Sequence, residues 1–148
     1  MKPKLMNEFK MNLLARSSNE SFARVAVSAF VSQLDPTIEE ICDIKTAVSE
    51  AVTNCIVHAY KEKLGQIYIN VRIYEGGNVL IKIKDKGCGI ENIEQAMEPM
   101  FTTAGGERAG LGFAVMQSFM DKLKVVSNVG NGTTVTFYKQ LALRGQND

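Results

Sequence analysis

Apolar and polar positions alternate strictly through two neighbouring stretches of this chain. Ile67, Ile69, Val71 and Ile73 are separated by Tyr68, Asn70, Arg72 and Tyr74, the period of a half-buried strand. Gly76-Gly77-Asn78 turns the chain, and Val79, Ile81 and Ile83 continue the inward side of a returning strand. Two closing strands, Leu123 to Ser127 and Thr133 to Tyr138, flank the Gly130-Asn131-Gly132 turn, and the mixed segment Glu8 to Ala15 reads as an edge strand. Elsewhere the period is helical. Ser17 with Glu20 fits a capping box ahead of Phe22, Val25, Ala26, Ala29 and Phe30, and Asp35-Pro36 disfavours continuation beyond Leu34. Thr37 with Glu40 opens a second, long helix through about Tyr60, with Ile41, Ile44, Val48, Val52 and Cys55 on its apolar arc. The glycine-rich stretch from Lys86 to Gly112 is loop-rich, with a short helix near Ile93 to Met97, and Leu111 to Asp121 forms the last helix.

The predicted order is β-α-α-β-β-loop-α-β-β. A sheet with one apolar face needs helices on that face, which gives a two-layer α/β sandwich. Strands joined by hairpins exclude the doubly wound parallel fold. The 148 residues, 45% of them hydrophobic, suit one domain over 1–148 with one core. The net charge of +1 makes no electrostatic case for nucleic acid, and Lys82, Lys84 and Lys86 read as a solvated sheet face. Cys42, Cys55 and Cys88 form no C-x-x-C pair, and His58 is the only histidine, so ligands for structural zinc are lacking. Without a signal peptide or a membrane-length apolar stretch, a soluble cytoplasmic protein with reduced thiols is expected.

Three clusters carry candidate chemistry. Residues four apart on a helix drift by about 40°, so Glu50, Asn54 and His58 form one polar line beside the apolar arc. Asn54 offers an oxygen to Mg²⁺, and Glu50 suits a general base; a solvated polar stripe is the alternative. Counting by twos from Val79 places Asp85 on the inward face, where a carboxylate needs a donor such as the amino group of adenine. Gly87 and Gly89 would let the backbone pass close to a base, although Asp and Gly also make ordinary turns. Finally, Gly105-Gly106, Arg108 and Gly110-Leu111-Gly112 precede a helix. A helix N-terminus receives phosphates, and Arg108 supplies a forked cation; a plain surface loop is the alternative.

Taken in order, E-x-x-x-N on a helix, D-x-G-x-G after a strand, a loop ending in G-x-G before a helix, and then Gly132-Thr133 resemble the GHKL ATPases. This is the group of gyrase, heat-shock chaperone, histidine kinase and mismatch-repair ATPases, whose (Bergerat) fold has a mixed, mostly antiparallel sheet with helices on one face. Asn19 to Val25, Gln33 to Thr37, Ser49 to Asn54 and Phe101-Thr102-Thr103 resemble the anti-sigma factor serine kinases within it, over roughly residues 8 to 140. That resemblance implies ATP/ADP and Mg²⁺ as cofactors, Glu50 as the base and Asn54 as the metal ligand. It places adenine at Asp85 and Thr133, bordered by Gly87 and Gly89. It further assigns the nucleotide His58, Thr103, Gly105, Gly106, Arg108, Ala109, Gly110, Leu111, Gly112 and Phe113, with Arg108 at the γ-phosphate. It implies a homodimer that holds a sigma factor, sigma F, when ATP is bound, and an anti-anti-sigma antagonist whose serine is phosphorylated during sporulation. No nucleic acid or membrane is implied. Glu20 and Arg24 match partner-docking positions, and they also fit an ordinary i,i+4 ion pair.

Where the family has a Lys-Pro-containing lid, this chain has Ala104-Gly105-Gly106-Glu107, one residue shorter. Three other readings stand beside this one. They are a general-stress anti-sigma kinase, the ATPase domain of a histidine kinase acting in trans, and a nucleotide-gated sigma-binding module without catalysis.

Overall fold

Strand β1 (Leu5–Leu14) leads into α1 (Ser18–Val31), a 3-10 turn (Ser32–Leu34) and α2 (Ile38–Asn54). The end of α2 widens into a π turn (Cys55–Ala59), followed by β2 (Gln66–Tyr74), β3 (Asn78–Asp85), α3 (Arg108–Phe119), β4 (Lys122–Asn128) and β5 (Gly132–Gln140). The computed structural model describes residues 3–60, 64–93 and 108–142. The expected short helix near Ile93 to Met97 lies, beyond Ile93, outside the described residues.

The strands form one sheet in the order β1-β2-β3-β5-β4, with β1 at an edge as expected. The resemblance implied a mixed, mostly antiparallel sheet, and every described pairing is antiparallel. Ile67, Ile69, Val71 and Ile73 of β2 face the same way as Val79, Ile81 and Ile83 of β3, and all are buried. Each such side chain gains roughly 1.5–3 kcal/mol on leaving water. A slip of one residue would turn them all to solvent, so the alternation itself fixes the register. Ile44, Ala47, Val48, Ala51 and Val52 of α2 and Met116 of α3 complete the core over this face, giving the two-layer α/β sandwich.

Helix α1 departs from the expected face. Ala23, Val27 and Val31 are buried, while Phe22 and Val25 are 56% and 54% exposed and Ala29 is also exposed. Apolar residues surround most of this helix, so periodicity cannot choose which stripe turns inward. Ala23 and Val27 present the smaller side chains to the core, and Phe30 keeps an edge contact with Phe9, centroids 4.6 Å apart.

The Ser17 capping box does not form. Ser17 is itself in helical conformation, and its side chain caps nothing. The N–H groups of Asn19 and Glu20 go instead to the carbonyls of Arg16 and Ser17. By contrast, Thr37 is extended (φ −70°, ψ 164°), Thr37 Oγ1 accepts Glu40 N–H, and Glu40 Oε1 accepts Thr37 N–H. Thr37→Ala is expected to lower stability by about 1 kcal/mol, read as a lower urea midpoint at unchanged m-value.

Candidate functional site

Asp85 ends β3 on the inward side of the sheet, in register with Ile67 of β2 and Thr133 of β5. It is 5% exposed. Its Oδ1 accepts N–H groups from Gly87 at 3.0 Å and Thr133 at 3.2 Å, and its Oδ2 faces the Cys55 thiol at 3.6 Å. Burial pushes the carboxyl pKa above its ordinary value, and the Gly87, Thr133 and Cys55 donors oppose that rise. Among the described residues no Lys or Arg reaches this carboxylate. Burial, followed by the Asp85 charge, pushes the Cys55 thiol well above its usual pKa, so it stays protonated and can donate.

The thiol also joins two of the clusters read from the sequence. Cys55 follows Asn54 directly, so its contact with Asp85 brings the end of α2 against the end of β3. The π turn completes the junction. Ala59 carbonyl accepts Cys88 N–H at 3.0 Å, and Tyr60 hydroxyl accepts Lys86 N–H at 2.7 Å while donating to Gln66 carbonyl at 2.7 Å. These bonds fasten the loop after Asp85 to the helix.

Gly87 is required by this close approach, since a Cβ there would run into the Ala59 carbonyl. Gly87→Ala is expected to destabilise the protein by about 1–3 kcal/mol, as overpacking does elsewhere, and to weaken nucleotide binding; thermal unfolding with and without ATP measures both. Gly89 has φ +78° and lies against the Asn128 carbonyl.

On the other side, Glu50 and Asn54 converge on α3. A Cβ on Gly112 would stand 3.3 Å from both Asn54 Oδ1 and Glu50 Oε2, so the bare backbone of Gly112 lies between carboxylate and amide. Asn54 Nδ2 is buried and has no hydrogen-bond partner among the described residues. His58 falls within the π turn, past the end of regular α-helix, so the predicted continuous polar line is broken after Asn54.

The G-x-G is also placed differently from expectation. Helix α3 begins at Arg108, three residues earlier than predicted, and ends at Phe119. Arg108, Ala109, Gly110 and Leu111 therefore form the opening turn itself, whose first N–H groups lack partners within the helix. Phe113 is buried in the core. Thr103, Gly105 and Gly106 lie outside the described residues.

A family model, the histidine kinase-like ATPase domain, matches residues 14–139. Anti-sigma F factors from Thermoanaerobacter sp. and Clostridium acetobutylicum are 57% and 52% identical to this chain, covering 91% and 94% of it and 94% and 97% of their own lengths. The chain belongs to the anti-sigma F factor family, among the histidine kinase-like ATPases. Its fold resembles the structure of the RsbU and RsbW domains of a Mycobacterium tuberculosis protein, with TM-score 0.68, 20% identity, and coverage of 92% of this chain and 33% of that one. The mycobacterial sensor histidine kinase MprB gives TM-score 0.57 at 15% identity, covering 91% of this chain and 99% of that one.

In this member of the anti-sigma F factor family, several site residues escape sequence reasoning. Ser127 Oγ lies 2.7 Å from Thr133 Oγ1 and accepts Ile90 N–H at 2.8 Å, tying β4 to β5 and to the loop after Gly89. Ser127 shares inward parity with Leu123 and Val125, and that parity was the available signal. Tyr60 and Cys55 gave no such sign. The i,i+4 pair on α1 does form, with Arg24 Nε 3.6 Å from Glu20 Oε2 and Arg24 Nη2 donating to Ser21 Oγ at 3.3 Å. Among the described residues, no helix is long and apolar enough to cross a membrane.

Proposed function

We propose that this chain is an ATP-dependent protein serine kinase of the cytoplasm that also holds a sigma factor, sigma F, in its ATP-bound state. The observation that carries the reading is the buried Asp85, held by backbone donors, opposed by no cation among the described residues, and joined through Cys55 to the Glu50–Asn54 face. A buried carboxylate of this kind accepts a hydrogen bond from the adenine amino group, with Thr133 beside it and Gly87 and Gly89 bordering the base. The opening turn of α3, with Gly112 close against Glu50 and Asn54, lies where phosphates gain from unpaired N–H groups.

The amide of Asn54 suits Mg²⁺, which takes few protein ligands and keeps several waters; when bound, the ion would neutralise charge on the phosphates. Glu50 takes the proton from a substrate serine as its Oγ bonds to the γ-phosphorus and the bond to the ADP oxygen breaks. The remaining contribution is positioning, as in phosphoryl transfer generally. His58, Thr103, Gly105, Gly106 and Arg108 belong to the same nucleotide site by resemblance, with Arg108 at the γ-phosphate.

The substrate in this reading is a serine on an anti-anti-sigma antagonist. Two copies of the chain form a homodimer that retains sigma F until the antagonist displaces it, during sporulation. Glu20 and Arg24 form the docking point, and the exposed Phe22 and Val25 on the same helix support an α1 surface that meets a partner.

Incubation of the chain with γ-labelled ATP and the antagonist tests this. Acid-stable phosphoserine on the antagonist and release of ADP are expected, with sigma F captured in ATP and freed in ADP. Acid-labile label on a histidine would move the chain to the histidine kinases.

A further inference from the structure

The sheet's second face, turned away from the helices, has a charge unlike that of the whole chain. Lys10, Asn70, Lys82, Thr136 and Lys124 stand in register across all five strands, so one row places a lysine on every second strand. With strands about 4.8 Å apart, the lysines repeat at about 10 Å. All three are exposed, as are Lys84 and Lys122 in the neighbouring rows. Lys86, also exposed, stands over the Tyr68 ring at 4.9 Å from its centroid. Arg72 completes the set, and Glu8, paired to it, is among the described residues the one carboxylate at an outward strand position. Lys82, Lys84, Lys122 and Lys124 have no ion-pair partner among the described residues. The net charge of +1 is therefore a sum in which a basic face is cancelled elsewhere.

We propose that this open face binds single-stranded nucleic acid. Lysine is depleted in protein–protein interfaces, whereas phosphate backbones are met by lysine and arginine, which argues for a phosphate-bearing partner over an acidic protein. Hydroxyl groups at Thr134 and Thr136 lie between the cations and can donate to phosphate or sugar oxygens. Tyrosines at Tyr68 and Tyr138, the latter 37% exposed, offer rings on which unpaired bases stack, as on other antiparallel sheets that display aromatics. The face is separate from the nucleotide site, which lies on the helical side, so the inference goes beyond the kinase reading and does not depend on it.

Fluorescence anisotropy of labelled 20-nucleotide oligo-U and oligo-dT against the full chain tests this. With about four phosphates neutralised, binding should weaken about 50-fold between about 50 and 200 mM salt. The triple variant Lys10→Gln, Lys82→Gln, Lys124→Gln should lose tenfold or more in affinity, with the log–log salt slope flattened by about 2. Tyr138→Ala should weaken binding about tenfold at an unchanged slope. Both variants should bind ATP like the parent, since these exposed side chains lie outside the nucleotide site. Salt-dependent binding of either oligomer, lost in the triple variant, supports the proposal, and tighter binding of oligo-U identifies RNA as the preferred source. Absence of binding, a triple variant that binds like the parent, or poly-glutamate binding as tightly as the oligomers overturns it.

Discussion

Glu50→Gln is expected to lower phosphate transfer to the antagonist serine by about 10²–10⁴-fold, the usual contribution of a positioned general base, while ATP still binds. Glutamine preserves the shape of the side chain and its reach toward Gly112 but cannot take up the serine proton. The Glu50 carboxylate lies beside Gly112, directly after the opening turn of α3 where the phosphates are proposed to sit, so its neutralisation also removes a repulsion and nucleotide affinity should not fall. Transfer of label from γ-labelled ATP gives the rate, and calorimetry gives the affinity. Loss of transfer with binding and sigma retention intact identifies a catalytic role. Undiminished transfer would remove Glu50 from that role and require another proton acceptor, whereas no transfer by the parent chain itself would favour a nucleotide-gated binding module.

The second large effect concerns Asp85→Asn. Oδ1 is already committed to the Gly87 and Thr133 N–H groups, so an asparagine would keep its carbonyl oxygen there. Its Nδ2 would then face both the Cys55 thiol and the adenine amine of the proposed site, setting donor against donor. Losing a charge-assisted hydrogen bond of about 1.5–3 kcal/mol predicts roughly 10–150-fold weaker ATP binding.

Stability should move the other way. The folded-state pKa of Asp85 is raised by burial. Its contribution to stability is therefore fully present below the ordinary carboxyl pKa of 3.8 and is lost as pH rises through the higher folded value. Asparagine has no such loss. The melting temperature of nucleotide-free Asp85→Asn should thus gain on the parent as pH rises from 3.8 through the higher folded value. A variant that melts lower at every pH, with ATP affinity intact, would contradict both halves of this account.

Parity made much of this site legible. Counting by twos from Val79 put Asp85 inward, and the same parity from Val135 and Phe137 holds for Thr133, which is buried. The register then pairs the two directly. Capping chemistry was legible only where the local backbone allowed it. Thr37 is extended and caps, whereas Ser17 is helical and cannot, because adjacent carbonyls already take the N–H groups it would have served. The inward stripe of α1 was illegible for a different reason. A helix apolar on several sides carries no periodic instruction, and close packing settles the choice in favour of the smaller residues.

The start of α3 was misplaced because Gly110 and Gly112 read as loop, although each costs a helix only about 1 kcal/mol. The π turn had no local signal at all. It is set by bonds from Ala59 and Tyr60 to residues some thirty positions away, a contact that no window along the chain can contain. The basic sheet face was hidden in the same way. Its cations are scattered among four strands, and only the pairing register brings Lys10, Lys82 and Lys124 into line.

The widened turn at Cys55–Ala59 makes chain length, more than side-chain identity, the constrained quantity at this point. Removing one residue would draw the Ala59 carbonyl and the Tyr60 ring back from the loop after Asp85 that they hold. The Tyr60 hydroxyl would leave Lys86 and Gln66, and the loop after Asp85 would lose its latch while every residue of the two motifs was still present. Single-residue deletions here should therefore be tolerated far less well than substitutions of the exposed Val57 in the same segment.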